Sequence, residues 1–368
     1  MAMPRLGDLV PPAGQPGPVG PALLGRAVGA PAPGGGITGA RSLRRMARAI
    51  TSNRKATAGA VLLLIFIVIG LIPGVIAHVD PNTIYAPKLP PSGQHLLGTT
   101  ALGQDMFAQV IYGTRPVLEI AFGVGLGATV IAMLIGVAAA YLGGAWDSAL
   151  NLITDVLLVI PLFPLLIVLA RYLNGAGTLV MIVVITATGW SYTARQLRSQ
   201  ALSLRNRDFL EAARVRGERS LYIIVVEIIP TMTSLLVASF LTNALYAVLF
   251  SSGLQFIGLG NPSVTSWGTM LYWAENNEAF QTGQTLWIIV PGLCIVALGA
   301  GFALLNYAFD EIGNPALRPV RSMQRSRQSS AGPAEQGLPG SSPERAGRGF
   351  RRSSPGPAER GKRVQPAK

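Results

Sequence analysis

The sequence is short of charge, of cysteine and of histidine. Only 13% of its 368 residues are Asp, Glu, Lys or Arg, about half of the roughly 25% common in soluble domains. Half of the chain is hydrophobic, more apolar surface than one soluble core of this size can bury, so a bilayer is its natural solvent. The single cysteine, Cys294, excludes an intrachain disulfide framework, and with only two histidines beside it a zinc site is not expected. No G-x-x-x-x-G-K-S/T phosphate loop occurs, so the sequence carries no nucleotide-binding signature of that kind. The nearest Gly-rich string, GVGLGA at 123–128, lies inside an apolar run and reads as helix packing.

The charge that is present sums to +13. Such an excess ordinarily points to a nucleic-acid partner, but here it is concentrated at the two ends. Residues 1–55 hold eight Lys/Arg against Asp8, and 313–368 hold twelve against Glu335, Glu344 and Glu359, whereas 56–312 has a net charge of −3. Both ends are rich in Pro, Gly and Ser and lack apolar periodicity, a composition that cannot offset chain entropy by burial. The expected organisation is therefore a disordered basic tail over 1–55, a transmembrane domain over 56–312 and a second disordered basic tail over 313–368. A nucleic-acid role through the tails is the weaker reading; orientation in the membrane accounts for the same charge.

A membrane-crossing helix needs about 20 apolar residues. Six segments qualify: about 56–77, 117–142, 149–173 (interrupted by Pro161 and Pro164), 176–194, 232–252 and 286–309. The pairs Gly70/Gly74 and Gly123/Gly127 have the small-xxx-small spacing that permits close helix approach. Lys and Arg placement sets the orientation. Arg41, Arg44, Arg45, Arg48, Arg54 and Lys55 precede the first span, the 195–231 loop carries seven Arg, and the 253–285 loop carries none. All of this fits six spans with both termini cytoplasmic. The first span exceeds the length of a signal-peptide core and follows a long leader, so it is expected to be retained.

The 195–231 loop is patterned. FLEAARVR favours a helix, Gly217 can take the left-handed backbone that ends one, and the apolar stretch 220–229 leads to Pro230. A short charged helix outside the bilayer either docks on a soluble partner and transmits rigid-body motion or lies on anionic lipid. Composition leaves both open. No in-span catalytic, filter or metal-ligating cluster is present, which argues against an intramembrane enzyme or a stand-alone channel. Asp155 and Arg195, near the same ends of the third and fourth spans, are expected to form a structural ion pair. Trp267, Tyr272, Trp273 and Trp287 fit an interfacial aromatic belt, and His78 and His95 read as ordinary loop residues.

At EAARVRG the chain resembles the permease subunits of binding-protein-dependent ABC importers, whose EAA loop has Glu, Ala, Ala and Gly at these relative positions. Glu211, Ala212, Ala213 and Gly217 match, as does Pro230, thirteen residues after Gly217; Glu227 and Ile229 depart from the consensus Ile and Leu. HLLGTTALGQDMFAQVIYGTRPVLEIAFG at 95–123, AYLGGAWDSALNLITDVLLVIPLFPLL at 140–166, FIGLGNPSVTSWGTML at 256–271 and LNYAFDEIGNPALR at 305–318 are similar to segments of the C-type subunit of dipeptide and oligopeptide permeases. The resemblance covers about 40–320. It implies an all-α integral membrane protein with the type I importer permease fold and a cytoplasmic coupling helix. It also implies a homologous second permease, two ATPase subunits that bind ATP and Mg, and an extracytoplasmic solute-binding protein, with no cofactor, catalytic residue or metal on this chain. Residues 211, 212, 213, 217 and 230 would carry the coupling. Peptides are the implied cargo; oligosaccharides and nickel chelates are the alternatives within the same class.

Overall fold

The computed structural model describes residues 53–173 and 177–313. The expected basic tails fall outside the described residues, apart from 53–55 and 313. Within them the chain is all-helical, with two isolated β-bridges and no strand. Ten helices follow in order: α1 (Arg54–Leu71), α2 (Met106–Leu142), α3 (Gly144–Val159), α4 (Leu162–Tyr172), α5 (Thr178–Arg205), α6 (Asp208–Val215), α7 (Ser220–Thr231), α8 (Thr233–Phe256), α9 (Trp267–Asn276) and α10 (Leu286–Gly313). One further turn, Pro73–Ile76, follows α1. Four of these helices, α1, α2, α8 and α10, are long and apolar enough to cross a membrane, and the α3–α4 pair makes a fifth span if its two arms count as one.

Four expected spans take a different course, each for a local reason. The first is not continuous over 56–77: it stops at Leu71 because Ile72 precedes Pro73, which disfavours a helical backbone before it. The second begins eleven residues earlier than 117, at Met106, behind an Asp105 N-cap whose side chain accepts from the Ala108 N–H. Its 37 residues extend about 55 Å, well beyond a hydrocarbon core. The third is bent by 88° between α3 and α4, where Ile160 adopts an extended backbone ahead of Pro161. The fourth is continuous but runs to Arg205, so the first third of the expected 195–231 loop is helix α5.

Helix α2 is the central post. Val124, Ala128, Ala132, Val137 and Ala140 face one buried cluster with α4, α5, α6, α7 and α8, while Val117, Leu118 and Ala121 face a second with α1, α8, α9 and α10. The α2–α5 contact is the most extensive among the described helices. Small residues make it possible: a Cβ on Gly123 would meet Ile182 and one on Gly127 would meet Thr186, both on α5. The outward sides of α1 (Leu64, Ile65, Val68) and α10 (Ile289, Leu293, Val296) are exposed and apolar, as a hydrocarbon-facing surface requires.

At the end of α2 opposite the arginine-rich segment, residues 77–105 and α9 fold over the bundle. His95 is buried here, not an ordinary loop residue: its Nδ1 lies 2.6 Å from Asp105 Oδ2, with the Tyr85 ring edge-on at 4.7 Å. Asp105 thus caps a helix with one oxygen and holds an imidazole with the other. Trp267 and Trp287 are likewise fully buried and do not belong to an interfacial belt. The Trp267 indole donates to the Val110 carbonyl at 3.0 Å and packs on Phe66. Tyr272 and Trp273 are half-buried and stack edge to face.

The candidate coupling site

The arginine-rich end of the bundle is built outward from α5. Its last turns carry Arg195, Arg198 and Arg205, and each meets a different part of α2 or α3. Arg198 makes two 2.7 Å hydrogen bonds to Asp147 near the start of α3, a bidentate pair with each side chain about three-quarters buried. Fork-to-carboxylate geometry of this kind fixes orientation as well as distance. Arg195 pairs with Asp155, but both side chains are more than half exposed, so this pair is worth about 1 kcal/mol at most. Arg205 lies over Gly143 at the α2–α3 corner and reaches the Ala140 carbonyl. The three arginines hold the α2–α3 corner against α5.

From that base the chain turns at Asn206 into α6. Asp208 and Glu211 occupy its first turn and Arg214 its last, the arrangement that complements a helix dipole. Leu210 and Ala213, three apart on one face, are completely buried in the cluster shared with α2 and α5. Burying a leucine contributes about 2 kcal/mol, and Arg214 adds a contact over the Tyr141 ring at 5.5 Å and a bond to the Arg205 carbonyl. The opposite face, with Glu211, Ala212, Val215 and Arg216, is exposed. The helix is anchored on one side and free on the other.

Gly217 ends α6 with φ +79°, a conformation that an L side chain resists. Its N–H donates to Arg214 O at 2.9 Å, and that of Glu218 to Ala213 O at 3.2 Å, the paired bonds of a Schellman cap. A one-residue change of direction then leads into α7. Within α7, residues Ile223–Ile228 form a π-helical segment, separated by Ile229 from Pro230, where the missing N–H leaves a carbonyl without its α-helical partner. Ile223 and Ile228 anchor this helix in the same core as Leu210.

Of the expected coupling residues, Glu211, Ala212 and Ala213 share α6 and Gly217 is its cap. Pro230 stands in the next helix at the turn into α8. Ala213 differs from its neighbours in facing the core. Glu227, which departs from the family consensus, sits 3.7 Å from Arg216, which also approaches Glu218 at 3.8 Å. The acid therefore meets a cation across the Gly217 turn. Sequence reasoning missed this pair and the Asp147–Arg198 pair: eleven and fifty-one residues separate the partners, and no periodicity connects them.

Residues 132–313, which include α6, Gly217 and α7, match the family of binding-protein-dependent transport system inner membrane components. The oligopeptide transport system permease protein OppC of Mycobacterium tuberculosis is 36% identical over 278 residues, 74% of this chain and 94% of that protein. The dipeptide transport system permease protein DppC of Bacillus subtilis is 34% identical, over 74% of this chain and 85% of its own length. A putative peptide permease protein of Brucella suis is 31% identical over 70% of the chain. Both the family match and the similarity over about three-quarters of the chain lead to one assignment: the chain is a multi-pass membrane protein that belongs to the binding-protein-dependent transport system inner membrane components.

Proposed function

We propose that this chain is one of two permease subunits of an ATP-driven peptide importer, and that α6 couples it to a separate ATPase. The observation that carries the reading is the two-sidedness of α6: Leu210 and Ala213 tie it to the bundle, while Glu211, Ala212 and Arg216 stand exposed. A helix so held moves as a rigid body with the bundle, and a push on its free face passes directly to α2 and α5 through the buried face. The peptide cargo is supported by the names of the similar OppC and DppC proteins.

Membership of the binding-protein-dependent transport family supports the remaining parts. ATP and Mg bind on two partner ATPase subunits, whose closure drives the paired coupling helices together. A homologous permease supplies the other wall of the path, and an extracytoplasmic binding protein delivers the solute. Six spans place both termini in the cytoplasm, with α5 as the one span whose inner half is polar. The positive-inside distribution of Arg supports this orientation, and the buried cap built by His95, Asp105 and α9 then faces outward.

The test is uptake of a labelled peptide into proteoliposomes that contain both permeases and the ATPases, with binding protein and peptide outside and ATP within. Accumulation that requires every component is expected. Peptide flux through this chain alone, without ATP, would instead make it a channel.

A further inference from the structure

A cavity of about 320 Å³ opens between α2, α4, α5 and α8, beside the break at Ile160 and Pro161. Leu162, Gly189, Tyr192, Asn243, Tyr246 and Phe250 line most of it. Its size lies at the lower end of small-molecule sites, roughly 300–1,000 Å³. A bent helix pair inside a bilayer leaves backbone groups without helical partners, and such a break is tolerated where it is buried in protein or borders a cavity. Here Ile160 and Pro161 are both exposed at the bend.

The walls define what the cavity takes. No charged residue lines it. The buried Asn243 carboxamide is partly engaged, donating to Thr129 at 3.1 Å and accepting from Thr193 at 3.0 Å. Phe163, Phe250 and Tyr246 form a stacked row with centroids 6.1 and 6.0 Å apart. Tyr192 and Tyr246 are about half exposed. A tyrosine hydroxyl at membrane depth calls for a hydrogen-bond partner, which a lipid chain does not supply and a peptide carbonyl or path water does.

We infer that this cavity receives an apolar or aromatic side chain of the peptide in transit, with the two tyrosine hydroxyls facing its backbone. The inference rests on the peptide reading above and adds a specificity-determining surface to it. Charged side chains and peptide termini are excluded from the cavity, because no charged residue lines it to offset their desolvation.

Gly189 gives access to an experiment that leaves the fold in place: a Cβ there would meet no atom within 4 Å, so Gly189→Leu grows into open space. Gly292 on α10 has the same free surroundings away from the cavity, and Gly292→Leu is the matched control. In the complete proteoliposome system, uptake of a tripeptide with a central tryptophan is compared with uptake of trialanine. For Gly189→Leu the tryptophan-to-alanine uptake ratio should fall at least about tenfold, the scale on which an apolar pocket discriminates by size, and Gly292→Leu should keep the wild-type ratio. An unchanged ratio in Gly189→Leu, or an equal fall in both variants, overturns the cavity assignment and leaves the importer reading intact. Failure of the wild-type complex to take up either tripeptide overturns both.

Discussion

Gly217→Pro should abolish binding-protein-stimulated ATP hydrolysis in the assembled importer and leave the ATPase subunits with their unstimulated rate. Proline holds φ near −65°, whereas the cap at 217 needs +79°. The same change removes the N–H that bonds Arg214 O. Without the cap, α6 loses its defined end and α7 its entry angle, so motion is no longer relayed through Leu210 and Ala213. Glu211→Lys acts differently, because Glu211 lies on the free face and supports no buried contact. It also turns a favourable first-turn charge into an unfavourable one. The assembled complex should form with normal thermal stability to within about 1 kcal/mol, while stimulated hydrolysis and uptake fall at least about tenfold. That drop corresponds to 1.4 kcal/mol of lost coupling. Full stimulation in both variants would remove α6 from the coupling path.

The second large effect lies in the bundle itself. Gly136 on α2 meets α5 so closely that a Cβ would sit 2.4 Å from the Ala194 carbonyl oxygen and 3.2 Å from the Arg198 nitrogen. Both neighbours are main chain and cannot rotate away. Gly136→Ala therefore separates the two helices at their crossing, at an expected cost of about 3 kcal/mol. It also displaces Arg198 from Asp147. Gly136→Leu should not yield an assembled subunit. Thermal unfolding in detergent would read the alanine variant as a large loss, whereas Gly189→Leu, on the same helix pair, should unfold close to the wild type. Equal stability of Gly136→Ala and wild type would mean that the α2–α5 crossing is looser than the structure shows.

These contrasts mark where the sequence was legible. The helix at FLEAARVR, its glycine stop and the entry at Pro230 were written in local terms, as propensity, a permissive backbone residue and a helix breaker, and the structure places each accordingly. Apolar runs located the span centres for the same reason. Their ends were less visible. The extension of α2 back to Met106 is set by an aspartate cap, and that of α5 to Arg205 by arginines with partners on α2 and α3. Pro73 was present as a signal for the break at Ile72 but was overridden by the apolar run around it.

Burial was the harder property. Trp267 and Trp287 have the composition of belt residues, yet α9 folds inward and places the first against Val110 and Phe66. His95 gives no periodic sign that Asp105 will be its partner ten residues later. The spacing of Gly123 and Gly127 did point to a helix crossing, while the tighter contact, at the isolated Gly136, had no spacing to reveal it. Contacts between elements distant in sequence were the part that only the fold could supply.

The central claim is that the exposed face of α6 meets the ATPase. Placing a single cysteine at Ala212, on that face, in a Cys294→Ser background tests it most directly, since Cys294 is the chain's one cysteine. With a cysteine on the ATPase surface groove, oxidation should cross-link the two chains in the complete importer, with a yield that changes when ATP binds. Labelling of the Ala212→Cys thiol by an impermeant reagent from the outer side of intact cells, with no cross-link to the ATPase, would contradict it.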